Sequence, residues 1–179
     1  MNPPHWPSTI KYSPRYTFDS KITPEIKALI QGSTSKGGGQ SSGRPPVVIR
    51  RIDLQGHPAF GEYGLFATKK IPPKTFILYY FGEVHSDDRP DSNYDLSLYR
   101  APDSSVHIGI DATATGNEAR FINDYRGIGE RFNVKFVEER LAGNTGELRI
   151  GIWSDSSGLK KGDELLLSYG KDFWKARQG

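Results

Sequence analysis

Short apolar segments separated by turns dominate the hydrophobic pattern of the chain from residue 47 onward. Gly, Pro, Asn, Asp or Ser residues interrupt each segment, a pattern typical of short β-strands. Strands are predicted at 47–52, 94–99 and 106–112, a turn followed by a strand at 71–84, and a hairpin formed by 133–137 and 148–153. The sequence therefore predicts a mainly β protein with few short helices.

The segment before residue 47 has a different pattern. Thr23 is a suitable N-cap and Pro24 suits the first helical position, and Ile26, Leu29 and Ile30 then share one face of a short helix. This helix packs either on the domain or on a partner. The Gly, Ser and Pro residues that follow it predict a flexible linker. We therefore divide the chain into an N-terminal segment with a short helix (1–30), a linker (31–46), a main domain (47–174) and a tail (175–179).

Composition excludes several classes of protein. Hydrophobic residues make up 35% and charged residues 25% of the chain, which is typical of a globular domain. The absence of cysteine excludes disulfides and thiolate metal sites, and the four histidines have no ligand spacing, so we predict no metal. The net charge of +3 is too small to indicate nucleic-acid binding. No apolar run is long enough to predict a membrane span.

Two separated segments place polar residues within apolar runs. Residues 116–123 read G-N-E-A-R-F-I-N, and residues 162–170 read G-D-E-L-L-L-S-Y-G. Because buried polar groups need partners, we predict that Arg120 and Glu164 form a structural ion pair where the two segments cross. Asn123 and Tyr169 would then face a common site. The alternative is that both segments are ordinary core strands.

These segments resemble the N-x-x-R-F-I-N-H and G-E-E-L-x-x-x-Y motifs of SET-domain protein lysine methyltransferases. Residues 71–84 resemble another family motif, I-x-x-G-x-x-I-x-x-Y-x-G-E-V. The resemblance covers residues 47–174 and implies the SET fold, in which small curved sheets surround a pseudoknot-like crossing of the C-terminal segment. Without cysteine, the chain would be a compact member that lacks the cysteine-rich zinc segment of many SET enzymes.

The resemblance also implies the site residues. Tyr169 and Tyr80 would be catalytic, and Tyr80 and Leu167 would line the channel for the substrate lysine. For Tyr80 the alternative is a core aromatic whose hydroxyl bonds nearby. Asn123 would bind the amino-acid end of S-adenosylmethionine, and Trp174 would form a platform for its adenine. The residues implied at the cofactor are Glu62, Tyr63, Gly64, Asn123, Asp124, Tyr169 and Trp174.

The activity implied by the resemblance is transfer of methyl groups from S-adenosylmethionine to a protein lysine. A histone tail is the substrate expected by family, and the expected location is the nucleus or the cytoplasm. Two residues depart from the motifs, since Glu62 replaces a glycine and Asp124 replaces a histidine. They leave two alternatives open: an inactive SET-like module that binds a peptide or partner, or a methyltransferase of a non-histone protein.

Overall fold

The computed structural model describes residues 2–33, 43–141 and 146–169. Strands predominate within these ranges, accompanied by the α-helix Pro24–Gln31 (α1) and a 3-10 helix at Glu118–Phe121. The mainly β fold class is therefore confirmed. The strands are Lys11–Tyr12 (β1), Thr17–Phe18 (β2), Val47–Arg51 (β3), Tyr63–Ala67 (β4), Phe76–Tyr79 (β5), Glu83–His85 (β6), Asp95–Arg100 (β7), His107–Asp111 (β8), Thr115–Gly116 (β9), Asn123–Asp124 (β10), Val134–Arg140 (β11), Leu148–Ser154 (β12) and Leu166–Leu167 (β13).

The strands form several small sheets, as expected. The largest has the order β2-β6-β8-β7, and a second has the order β11-β12-β5. Three further sheets contain two strands each, β3-β4, β1-β9 and β10-β13. The pairing of β11 with β12 is antiparallel, which confirms the predicted hairpin.

The core lies between these sheets and is built from the inward faces of their strands. Leu78 of β5 is the register partner of Ile152 of β12, and both side chains are fully buried. Ile108 and Ile110 of β8 are also fully buried. Their alternation follows the two-residue period of a strand, because successive side chains point to opposite faces.

The N-terminal segment packs on the main domain. Strand β1 pairs in parallel with β9, and β2 pairs in parallel with β6. The Thr23 hydroxyl accepts a hydrogen bond from the Ile26 amide and Pro24 is the first residue of α1, which confirms the predicted helix start. Tyr16 and Ile30 are buried in the domain core. Of the two alternatives for the helix, packing on the domain is the one observed.

The C-terminal segment crosses the middle of the chain. Strand β13 pairs in parallel with β10, and the Tyr125 amide donates to the Leu167 carbonyl. At the other end of the loop that follows β10, the Asn133 side chain donates to the Glu164 carbonyl and accepts from the Leu166 amide, both at 2.8 Å. Both ends of this loop therefore hold the C-terminal segment, which is the pseudoknot-like crossing expected for the fold.

Some sequence predictions lie outside the described residues. They include most of the linker (31–46), the tail (175–179) and Trp174 with its expected role at the adenine. The division of the chain into a segment, a linker, a domain and a tail stays a prediction.

Replacing Asn133 with Ala should weaken the crossing. The substitution removes the partners of one backbone carbonyl and one backbone amide, so we expect the free energy of unfolding to fall by about 2–3 kcal/mol in a urea titration. Arg131→Ala, at an exposed position of the same loop, is the matched control and should change it by less than about 0.5 kcal/mol. Equal effects of the two substitutions would contradict this account of the crossing.

Candidate functional site

Tyr169 lies where two cavities meet. It follows β13 and is fixed at both ends of the residue, because its backbone amide donates to Asp124 Oδ2 at 2.8 Å and its hydroxyl donates to the Ile122 carbonyl at 2.6 Å. Its side chain lines a cavity of about 640 Å³ and a second cavity of about 430 Å³. Both volumes lie within the range of small-molecule sites in proteins.

The larger cavity brings together most of the residues expected at the cofactor. Those that line it are Glu62, Tyr63, Asn123, Asp124 and Tyr169. Gly64 is not among its lining residues. The rest of the wall includes apolar side chains, such as Ile10 and Phe121, and the Arg126 guanidinium, so the cavity has both apolar and charged surface.

The Asn123 amide has a defined orientation in this cavity. Its Nδ2 donates to Glu164 Oε1 at 2.8 Å and to the Tyr63 carbonyl at 3.2 Å, which uses both of its hydrogens. Its Oδ1 has no hydrogen-bond partner among the described residues and is not a buried unsatisfied atom. Since Asn123 lines the cavity, Oδ1 is the atom that can accept a hydrogen bond from a ligand there.

Gly64 contributes to the site through close packing. A Cβ at this position would lie 2.7 Å from Glu164 Oε1, the atom that holds Asn123. A larger residue would therefore displace the carboxylate. Gly64 therefore packs against the residue that orients Asn123, and its predicted contact with the cofactor stays a prediction.

Asp124 holds Tyr169 in place. Besides the bond to the Tyr169 amide, its carboxylate accepts from the Arg126 guanidinium at 2.9 and 3.1 Å and from the Arg126 amide at 2.9 Å. Asp124 is buried, and hydrogen bonds to an ionised group are among the stronger ones in proteins. Asp124, which stands where the family motif has histidine, therefore supplies a hydrogen-bond acceptor on which the position of Tyr169 depends.

The smaller cavity is largely aromatic and aliphatic. Its wall includes Tyr80, Tyr94, Leu96, Phe136, Leu167 and Tyr169. The Tyr80 hydroxyl donates to the Tyr94 carbonyl at 2.7 Å, and the Tyr80 ring packs edge-on against Phe136 with centroids 6.2 Å apart. Tyr80 is thus a buried core aromatic whose hydroxyl bonds nearby, and it also lines this cavity, while its place in a lysine channel stays a prediction.

Both tyrosines stay protonated at neutral pH. Burial raises the pKa of the Tyr169 phenol, and the pKa of the Tyr80 phenol is raised well above its usual value for the same reason. Burial disfavours the charged phenolate, while each hydroxyl already has a carbonyl to donate to. Neither group is therefore a phenolate base near pH 7.

The predicted ion pair between Arg120 and Glu164 is wrong. The Arg120 Nε donates to the Ala112 carbonyl at 2.8 Å, and its guanidinium lies 4.1 Å from the centroid of the Tyr94 ring. The Glu164 carboxylate is bonded to Asn123 and to His57 Nε2, the latter at 3.1 Å. Each side chain therefore has partners other than the predicted one. Arg120 lines both cavities, whereas the Glu164 carboxylate contacts His57 in the loop before β4.

His57 is a site residue that the sequence did not indicate. It is buried, and its Nδ1 accepts from the Ala59 amide at 3.0 Å, so in the neutral ring Nε2 carries the proton and donates to Glu164. A lone histidine in a polar loop gives no signal of such a contact. The N-terminal residues Pro7, Thr9 and Ile10 on the larger cavity were also missed, since nothing in their sequence relates them to the distant motifs.

The chain matches a known protein family and is similar to several solved structures. The family model described as SET domain matches residues 62–170. A structure of ATXR5 in complex with histone H3.1 mono-methylated on R26 is similar, with a TM-score of 0.63 and 21% identity over 91% of this chain and 82% of that chain. A search of curated protein sequences finds no match.

Structures of Polycomb Repressive Complex 2 are also similar. The Chaetomium thermophilum complex bound to GSK126 gives a TM-score of 0.57 and 24% identity over 76% of this chain and 17% of that chain. A ctPRC2 structure in an autoinhibited conformation, bound to S-adenosylmethionine, gives 0.53 and 24% identity over 76% and 16%. The chain thus spans less than a fifth of the length of these Polycomb chains.

The described residues contain neither a metal-ligating cluster nor a membrane-spanning helix. In residues 2–33, 43–141 and 146–169, no group of three or more His, Asp or Glu side chains is arranged to hold a metal ion. No helix in the part of the chain that the structure describes has the length and apolarity needed to span a membrane.

Double-mutant cycles should separate the true partners of Glu164 from the predicted one. We expect His57→Ala and Glu164→Ala to be coupled by about 1–2 kcal/mol in the free energy of unfolding, because each removes the other's buried partner. The cycle of Arg120→Met with Glu164→Ala should give a coupling below about 0.5 kcal/mol. A larger coupling for Arg120 than for His57 would overturn the hydrogen-bond assignment.

Proposed function

Because the chain belongs to the SET domain family, we propose that it is a protein-lysine N-methyltransferase that uses S-adenosylmethionine. The family model covers more than half of the chain. One observation carries the proposal: Tyr169 lines both cavities, so groups bound in the two cavities would meet at its hydroxyl. A transfer reaction needs this arrangement, because donor and acceptor must be held together and aligned.

The larger cavity fits the cofactor by the chemistry of its lining. S-adenosylmethionine supplies a methyl group on a positively charged sulfonium. The open Oδ1 of Asn123 is an acceptor for the ammonium of its amino-acid end. Apolar wall residues, among them Phe121, suit its adenosine part. The same cofactor is bound in the ctPRC2 structure, which has the same fold.

The smaller cavity suits a lysine side chain. A free lysine has a pKa of about 10.4 and must lose a proton before its nitrogen can accept a methyl group. Aromatic walls disfavour the ammonium form because they solvate a charge less well than water does, and the faces of the rings attract the cation as it enters. The buried Arg120 guanidinium, which lines both cavities, also disfavours a second positive charge.

Tyr169 would orient the amine rather than remove its proton. Its hydroxyl donates to the Ile122 carbonyl, so any further hydrogen bond at this oxygen must be one that it accepts. A lysine N–H pointing at this oxygen would have its nitrogen held at the junction of the cavities. Tyr80 would form the wall of the channel, and its raised pKa keeps that wall uncharged.

We propose a histone tail as the substrate and the nucleus as the location. The complex of ATXR5 with histone H3.1 supports this assignment at the level of the fold. Residues 83–95 contain five carboxylates and one arginine, and residues 92–95 of this segment line the lysine channel. Arg89 pairs with Glu83 and Asp87, and His85 pairs with Asp95. The exposed carboxylates of Asp88 and Asp91, on a neighbouring cavity that shares Tyr94 with this one, favour a basic peptide. A basic non-histone protein has the same chemistry and is the alternative substrate.

The proposal is tested by incubating the full chain with labelled S-adenosylmethionine and a panel of histones, nucleosomes and cell extract. Label on a lysine, located by mass spectrometry, is the expected result and also gives the number of methyl groups added. Binding of S-adenosylhomocysteine is measured in parallel by calorimetry. Lack of binding and of transfer would reject the enzyme and favour the peptide-binding module, while transfer to non-histone proteins alone would replace the histone substrate.

Tyr169→Phe should separate chemistry from cofactor binding. We expect methyl transfer to fall about 100-fold or more, because the amine loses its orienting oxygen, while the affinity for S-adenosylhomocysteine changes less than about twofold. Tyr99→Phe, on strand β7 and outside both cavity linings, is the matched control and should leave both quantities unchanged. Unchanged transfer by the Tyr169 variant would remove this hydroxyl from the reaction.

A further inference from the structure

The N-terminal segment contributes to the wall of the larger cavity. Pro7, Thr9 and Ile10 line it together with residues of the two motifs. They lie far upstream of residue 62, where the family match begins, so the match gives no account of them. A segment outside the matched region is therefore part of the proposed cofactor site.

Backbone pairing fixes this segment to the site. In the parallel pairing of β1 with β9, Lys11 is the partner of Thr115 and Tyr12 of Gly116. The Lys11 amide donates to the Ala114 carbonyl at 3.0 Å, and the Ser13 amide to the Gly116 carbonyl at 2.8 Å. Strand β9 ends where the motif with Asn123 begins. The register of β1 therefore sets the position of residues 7–10 relative to that motif.

Trp6 fastens the other end of the segment. Its indole Nε1 donates to the Ile10 carbonyl at 2.7 Å, which closes the turn that carries Pro7 and Thr9. Its ring packs edge-on against Phe121, with centroids 5.4 Å apart. Phe121 itself lines the cavity. The indole thus couples the turn to the motif through both a hydrogen bond and a ring contact.

The chemistry of the wall indicates which part of the cofactor it meets. Pro7, Ile10 and Phe121 present apolar surface, whereas Asn123 and Arg126 present polar groups. The cofactor has a flat purine on one side and a zwitterionic amino acid on the other. Apolar surface gains free energy by covering the purine and none by covering the zwitterion. We propose that Pro7, Thr9 and Ile10 form the wall that seats the adenosine part of S-adenosylmethionine, an inference that rests on the proposed function.

Calorimetry on the full chain with S-adenosylhomocysteine tests this proposal. Ile10→Ser removes apolar surface from the wall, and we expect the affinity to fall about tenfold. Lys11→Ser is the matched control, since it changes the exposed next residue of the same segment and should leave the affinity within about twofold. Circular dichroism and the unfolding temperature of each variant show whether it is folded.

The outcomes distinguish the wall from the function. Wild-type protein that does not bind S-adenosylhomocysteine would reject the cofactor itself. If wild type binds S-adenosylhomocysteine and the folded Ile10→Ser variant binds it with the same affinity, the proposed role of the wall is rejected. The proposed function would not be affected by that result. The ligand 5′-methylthioadenosine lacks the amino-acid part of the cofactor. In competition experiments, Ile10→Ser should lower the affinity for this ligand by the same factor as the affinity for S-adenosylhomocysteine. If its affinity were unchanged, the assignment to the adenosine would be overturned.

Hydrogen exchange of the wild-type chain provides a test without substitutions. On addition of S-adenosylhomocysteine, backbone amides of residues 6–13 should exchange more slowly, together with those of residues 62–64 and 123–126. Protection at the latter two segments alone would show that the cofactor binds without the N-terminal wall.

Discussion

The largely buried carboxylate of Glu164 is the group on which the arrangement of the site depends. Its two oxygens accept hydrogen bonds from Asn123 and His57, and its backbone carbonyl accepts one from the Asn133 side chain. These donors come from three separate parts of the chain. Because each would lose a buried partner if Glu164 moved, the residue holds all three in register. The open face of Asn123 follows from this arrangement.

Residues with strong local patterns made much of the fold predictable. The turn-punctuated apolar runs indicated short strands, and Thr23 with Pro24 indicated the start of the helix. Two motifs with unsatisfied polar residues indicated a crossing, and the structure has Asn123 and Tyr169 on the wall of one cavity. These features depend on residues close in sequence or on the general requirement that buried polar groups be paired.

Side-chain contacts between residues that are distant in sequence could not be predicted in the same way. Opposite charge alone suggested that Arg120 pairs with Glu164. That argument ignores the direction of the side chains and the other groups that can bind a guanidinium, here the Ala112 carbonyl and the Tyr94 ring. His57 reaches Glu164 from a loop more than a hundred positions away, so no local pattern indicates it. The wall at Pro7 and Ile10 depends on the register of two very short strands, which periodicity does not specify.

The crossing at β13 also has a consequence for how the protein reaches its native state. Its contacts join residues 123–133 to residues 164–169, and β1 joins the start of the chain to residues 115–116. Such distant pairings must pay loop-closure entropy before they gain contact energy, which slows folding. On the ribosome, the pocket is completed only after residues 164–169 have emerged from the exit tunnel. Ligand recognition is therefore acquired only when the second of the two motifs has been synthesised, and not when the first has.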